Sequence, residues 1–204
     1  VYGACSTMAE SIAVASVLVD GGYFENVVCC TGSHFSTAER QYRFPLELGN
    51  QRPPTSQWTV TGAGGCVLSL NGEGPRITRV TLGKVVDWGI NDVNNMGAAM
   101  APAARDTLLA HFRNTKTTPE DYDLILTGDL GKLGSEILID LMDDEGITLG
   151  LNYGDCGQMY YRREQKTLCG GSGAGCCATV FNSYVMAKIK DGTYKKVLFL
   201  PTGA

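Results

Sequence analysis

Val1-Tyr2-Gly3-Ala4-Cys5-Ser6-Thr7-Met8-Ala9-Glu10 decides how this chain reads, because it sets a cysteine at the junction of a small-residue turn and a helix. Met8, Ile12, Ala13, Ala15, Ser16 and Val19 recur at helical spacing, which predicts a helix over 8–19 with Cys5 in or just before its first turn. Free amides and the helix dipole at such a place favour a thiolate, so Cys5 is a candidate nucleophile. A cysteine among Gly, Ala, Ser and Thr also suits plain packing, where the thiol serves as a small hydrophobe.

Working outward, Asp20-Gly21-Gly22 stops the helix and Asn26-Val27-Val28-Cys29-Cys30-Thr31 reads as a short buried strand, which makes an α/β unit. Gly32 to Trp58 is a long irregular stretch. Trp58 to Thr61 then reads as a strand, Gly62-Ala63-Gly64-Gly65 as a turn and Cys66 to Leu70 as the next strand. After a turn at Asn71-Gly72-Glu73-Gly74-Pro75, the alternation from Ile77 to Val86 predicts a further strand, forming a hairpin on the sheet edge. The polar loop from Asp87 to Asn95 divides the chain into halves, 1–95 and 96–204. In the second half a helix runs to about Arg113, Thr118-Pro119-Glu120-Asp121 is a capped turn, and Leu124 to Thr127 is a buried strand leading to Gly128-Asp129-Leu130-Gly131. A helix over Lys132 to Glu145 follows. The Gly-rich turn Gly170 to Gly175, a helix over Cys176 to Lys190, an Asp191-Gly192 stop and a strand over Lys196 to Leu200 complete the pattern. Ser11 to Thr31 and Cys176 to Pro201 share one plan of turn, helix, D-G stop and buried strand, as two repeats would.

With 204 residues, 44% of them hydrophobic, the chain can bury a substantial core as one large or two small units. A net charge of −4 gives no electrostatic case for nucleic acid. No apolar run approaches the roughly 20 residues of a membrane span. The eight cysteines, at 5, 29, 30, 66, 156, 169, 176 and 177, show no C-x-x-C spacing, so zinc and redox motifs are weak. Most sit in apolar or Gly-rich runs, which suits reduced thiols in a reducing, cytosolic-type compartment. Both ends read as cuts through a longer fold.

A cysteine at a helix start in one α/β half and a Gly-rich turn before the equivalent helix in the other resemble the thiolase and ketoacyl synthase superfamily. Longer strings resemble one family within it, stage V sporulation protein AD: Val1 to Thr7, Ser33-His34-Phe35-Ser36-Thr37-Ala38-Glu39-Arg40-Gln41-Tyr42-Arg43-Phe44-Pro45, Gln51 to Thr55, Asn94 to Ala104 and Thr127 to Gly131. The resemblance implies an α/β, thiolase-like fold of two similar halves, here without the N-terminal part of the first. It further implies a protein that binds dipicolinic acid, with calcium entering alongside the ligand, for uptake into the developing spore. Its implied partners are other proteins of the same spore transport operon and a second copy of itself, and its implied place is the cytoplasmic side of the inner forespore membrane, held peripherally.

A condensing enzyme needs a histidine to activate the thiol or protonate a leaving group, and His or Asn donors to stabilise an oxyanion. The chain has two histidines. His111 reads as a surface residue at a helix C-terminus, and His34, in a loop with Glu39 and Arg40, as a hydrogen-bonder or a ligand contact. Where condensing enzymes carry the catalytic His this sequence has Asp129, and where they carry the second donor it has Ser172-Gly173-Ala174-Gly175. An ionised aspartate cannot donate and raises the pKa of a nearby thiol. The expectation is therefore a noncatalytic pocket built from Cys5, Ser6 and Thr7 at one helix start and Ser172 and Gly173 at the other. Arg40 and Arg43 are candidate carboxylate clamps, or surface partners of Glu39 and Glu47, and Asp129 is a candidate calcium ligand. The rival expectation is a Cys5-dependent acyltransferase or ketoacyl synthase. Residues 32–57 are the expected surface for partner or dimer contacts.

Overall fold

A computed structural model describes residues 1–36 and 53–204 of the chain. A single 3-10 turn, Ala4–Ser6, leads into α1 (Thr7–Asp20), which Gly21 and Gly22 end as the sequence requires. Strand β1 (Asn26–Ser33) follows, then β2 (Trp58–Thr59) and β3 (Gly62–Ser69). The second half contains α2 (Met96–Thr115), β4 (Leu124–Thr127), α3 (Gly131–Asp144), β5 (Tyr153–Asp155), α4 (Cys156–Tyr160), β6 (Gly171–Ser172), α5 (Ala174–Val180), α6 (Met186–Lys190) and β7 (Val197–Leu200).

Three sheets organise these elements. β5, β4 and β7 pair in parallel with β4 in the middle, β1 and β3 form an antiparallel pair, and β2 pairs in parallel with β6. All four residues of β4 are buried, as a central parallel strand covered on both faces demands. Its alternation divides the core in two. Leu124 and Leu126 join Met8, Ala15, Cys29 and Val60 on one side, and Ile125 joins Met100, Leu108, Leu138 and Met142 on the other. The first cluster is where α1 and α5 meet the β1/β3 pair; the second is sealed by α2 and α3.

Four differences from the sequence expectation concern how the elements pack. Gly62-Ala63-Gly64-Gly65 is not a turn: it is the first half of β3. A side chain at Gly64 would lie 2.2 Å from the Ala178 carbonyl oxygen, so the glycines are there for the close approach of α5 rather than for a bend. The helix expected over Cys176 to Lys190 starts at Ala174 and is interrupted by a π-helical segment, Phe181–Val185. Asn182 Nδ2 donates to the Ala178 oxygen at 2.8 Å and Ser183 Oγ to the Thr179 oxygen at 2.6 Å, side-chain bonds that compete with the helical ladder. Ile77 to Val86 forms no strand. Alternation marks a two-faced segment but does not supply a ladder partner, and this stretch is tied instead to α2: Arg79 donates to the Thr115 oxygen at 3.2 Å, and Lys84 pairs with Asp106 at 3.1 Å. It spans an open cleft of about 2130 Å³ walled by α1, β3, α2 and β7.

His111 is the fourth difference. It is buried inside this anchorage, with Nδ1 2.8 Å from Thr81 Oγ1 and Nε2 2.8 Å from Tyr122 Oη. A helix end packed under a crossing segment and a tyrosine is interior, whatever its position in the helix. Burial, with Arg79 and Lys196 nearby, pushes its imidazole pKa down.

Candidate functional site

The local backbone around Cys5 is set before any tertiary contact. Ala4 has a positive φ of 49°, a left-handed conformation that costs a non-glycine residue about 1 kcal/mol, and it turns the chain sharply into the helix. Thr7 Oγ1 accepts from the Gly3 amide at 3.1 Å and donates to the Ala4 oxygen at 2.6 Å, holding that turn closed. Cys5 is thus buried at the mouth of α1. The neighbouring hydroxyl is already engaged: Ser6 Oγ lies 2.6 Å from both the Gly3 oxygen and Glu10 Oε1. Glu10, an acid in the first turn, answers the helix dipole from the chain itself.

Three further loops converge on this turn, at the carboxyl ends of the parallel strands, where α/β folds bind ligands. The Cys177 thiol donates to the Cys5 oxygen at 3.4 Å, and the Cys176 thiol to the Gly128 oxygen at 3.9 Å, so α5 bridges the Cys5 turn and the end of β4. A Cβ on Gly128 would meet Pro201 at 3.0 Å, and one on Gly203 would lie 2.3 Å from the Gly3 oxygen, which seats the loop after β7 between the other two.

The structure brings the loop of Asp129 against that of Ser172 and Gly173 directly: Asp129 Oδ2 accepts from the Gly173 amide at 2.9 Å. That amide, expected to face a ligand, is therefore committed to the aspartate. Asp129 is buried, and its backbone oxygen accepts from Gln57 Nε2 at 2.6 Å; Gln57 also reaches the Gly171 oxygen at 3.0 Å. A second buried acid, Asp155, shapes the same loop. Its carboxylate accepts from Thr127 Oγ1 at 2.8 Å and from the amides of Leu130, Gly131 and Gln158 at 2.9, 3.0 and 3.1 Å. Burial pushes the Asp155 carboxyl pKa up against those four bonds. Burial first, and Asp129 second, push the Cys176 and Cys177 thiols well above the ordinary value. The site thus holds two buried acids beside thiols that stay protonated.

Ser172 Oγ and Thr202 Oγ1 are buried hydroxyls without a hydrogen-bond partner among the described residues. Sequence reading singled out Ser172 but missed Thr202, Asp155 and Gln57. Thr202 follows the last strand in the same way that Gly128-Asp129 follows β4, and that topological equivalence was the available signal. His34 lies past the end of β1, exposed, with Nδ1 accepting from the Ser36 amide at 3.1 Å. Ser33, one residue earlier, reaches the site: its Oγ accepts from the Gly175 amide at 2.9 Å and donates to the Val60 oxygen at 2.7 Å. Arg40 and Arg43, with Glu39 and Glu47, lie outside the described residues. Among the described residues no three His, Cys, Asp or Glu side chains gather to hold a metal ion, and no helix is long and apolar enough to cross a membrane.

The family described as Stage V sporulation protein AD matches residues 1–204. Stage V sporulation protein AD of Bacillus subtilis (strain 168) is 46% identical over 203 residues. The chain belongs to the stage V sporulation protein AD family. It spans 60% of that relative's length. In fold, the chain is similar to OleA of Xanthomonas campestris with cerulenin, at a TM-score of 0.66 and 14% identity, covering 100% of this chain and 59% of that one. It is similar also to 3-oxoacyl-[acyl-carrier-protein] synthase III from Aquifex aeolicus, at a TM-score of 0.61 and 12% identity, covering 100% and 62%. The tetronic acid condensing enzyme AbyA1 gives a TM-score of 0.59 at 13% identity, covering 92% and 59%. The fold is thiolase-like, and the family is one of sporulation proteins.

Proposed function

We propose that this chain forms the greater part of a noncatalytic thiolase-fold protein that binds dipicolinate for its uptake into the developing spore. The observation that carries the reading is the Asp129–Gly173 bond. At the place where condensing chemistry needs a neutral or cationic donor, a buried carboxylate accepts a backbone amide. Of the two histidines, His111 is buried with its ring nitrogens on Thr81 and Tyr122, and His34 is exposed with its Nδ1 accepting from the Ser36 amide. The unpartnered hydroxyls of Ser172 and Thr202 are the kind of donors that a small carboxylated aromatic requires. Among the described residues no three His, Cys, Asp or Glu side chains gather for a metal ion, and calcium in this reading is cargo that arrives with the ligand.

The protein would act on the cytoplasmic side of the inner forespore membrane, peripherally, with other proteins of the same transport operon and as a homodimer. Isothermal calorimetry on the full-length protein, with dipicolinate in the presence and absence of calcium, tests the central claim. Heat of binding that survives Cys5→Ala is expected. Absence of heat at millimolar ligand, or stable acylation of Cys5 by an acyl-CoA seen by mass spectrometry, would overturn it.

A further inference from the structure

Cys29 and Cys66 face each other across the β1/β3 pair. They are direct register partners, flanked by Val28 opposite Val67 and Cys30 opposite Gly65. The inward positions of β1 include Cys29 and those of β3 include Cys66, so both thiols leave the sheet on the core side. Directly opposed residues of an antiparallel pair have Cα atoms about 4.5–5.5 Å apart, inside the roughly 4.4–6.8 Å that a disulfide spans. Cys29 is fully buried, whereas Cys66 is half-buried and opens onto the cleft beside α1.

We propose that Cys29 and Cys66 form a dithiol site that a low-molecular-weight disulfide converts into a cross-strand bridge. The Cys66 thiolate, the accessible one, attacks a sulfur of R–S–S–R, forms a mixed disulfide and expels RS⁻, which takes up a proton. Cys29, having given its own proton to solvent, then attacks Cys66 Sγ and expels the second RS⁻. Two protein thiols are oxidised, one small disulfide is reduced to two thiols, and atoms and electrons balance. No other cysteine on these strands has this arrangement: Cys30 is exposed, but its register partner is Gly65. The bridge would bear on the candidate site from outside it, because β1 ends at Ser33, whose hydroxyl holds the Gly175 amide and the Val60 oxygen.

The test is incubation of the folded full-length protein with oxidised glutathione, followed by alkylation, non-reducing digestion and mass spectrometry. Burial raises the Cys29 thiol pKa and takes that of Cys66 to about 11, so exchange is run at about pH 9 to give a measurable rate. The expected result is a linked pair of peptides containing Cys29 and Cys66, with Cys30 still open to alkylation and Tm raised by roughly 5–10 °C. Cys66→Ser abolishes the linkage and Cys30→Ser leaves it intact. A stable glutathione adduct on Cys66, a bridge to any other cysteine, or reaction confined to Cys30 would overturn the proposal. Mapping of the unsubstituted protein decides by itself, so a variant that fails to fold leaves the test in place.

Discussion

Replacing Asp129 tests its side chain as the acceptor for the Gly173 amide. In Asp129→Ala the acceptor 2.9 Å from the Gly173 nitrogen is gone, and the site is closed to solvent, Asp129 being 1% exposed and Ser172 likewise 1%. A buried amide left without a partner costs about 1–3 kcal/mol, and the lost bond had a charged acceptor, which places the loss toward the upper end, about 2–3 kcal/mol. Asp129→Asn keeps an oxygen where the amide needs one and removes the charge. The remaining neutral bond is weaker by about 1 kcal/mol, and this is offset in part because a carboxylate no longer has to be held in the interior near Asp155. The Asn variant should therefore lose no more than about 1 kcal/mol. Urea unfolding of the full-length protein reads the difference directly as a shift in midpoint at constant m. Equal losses in the two variants would show that the Gly173 bond is not what Asp129 contributes, and would remove the observation on which the noncatalytic reading rests.

Three further outcomes follow from particular residues. The His111 imidazole has its pKa lowered from the ordinary 6.5 by burial, with Arg79 and Lys196 adding to the effect. The unfolded chain therefore binds a proton at His111 at a pH where the native one does not. Stability from this group is fully present above 6.5 and declines as pH falls toward the lower folded value, by at most about 1.4 kcal/mol per pH unit. His111→Gln should flatten that slope in urea titrations between pH 7 and about pH 5; an unchanged slope refutes the assignment. Gly64→Ala puts a methyl group 2.2 Å from the Ala178 oxygen, so β3 and α5 must part, at a cost of about 1–3 kcal/mol. A Tm within a degree of the wild-type value would count against that packing. Ala4→Gly should be neutral or stabilising because Ala4 sits at φ 49°, whereas Ala15→Gly, in the buried face of α1, should cost about 1 kcal/mol or more; parallel thermal melts that rank the two the other way would rule out the left-handed turn.

The helices and the Gly stops were legible because they are local: the spacing from Met8 to Val19 and the D-G stop at 191–192 each act within a few residues. What was not legible depends on partners distant in sequence. Gly62 to Gly65 carry the composition of a turn, and only the approach of α5, more than a hundred residues later, makes them a strand. Ile77 to Val86 carry the alternation of a strand, and only the absence of a ladder and the presence of α2 make them a crossing segment. His111 went the same way, since a residue's burial is decided by what is laid over it.

The site shows the same division with a functional consequence. The sequence singled out positions 129 and 172–173, but it could not say that Asp129 and Gly173 would bond to one another. Once Asp129 takes the Gly173 amide, the helix start of α5 is answered from within the chain, as Glu10 answers that of α1. The starts of α1 and α5 are thereby both faced by acidic side chains of the chain itself. Burial first and Asp129 second push the Cys176 and Cys177 thiols up, so these two neighbours of the Cys5 turn stay protonated. A pocket so arranged retains hydroxyls at Ser172 and Thr202 for contact while its strongest electrostatic devices are spent on holding shape. Under the proposed function, that combination suits the recognition of a ready-made ligand.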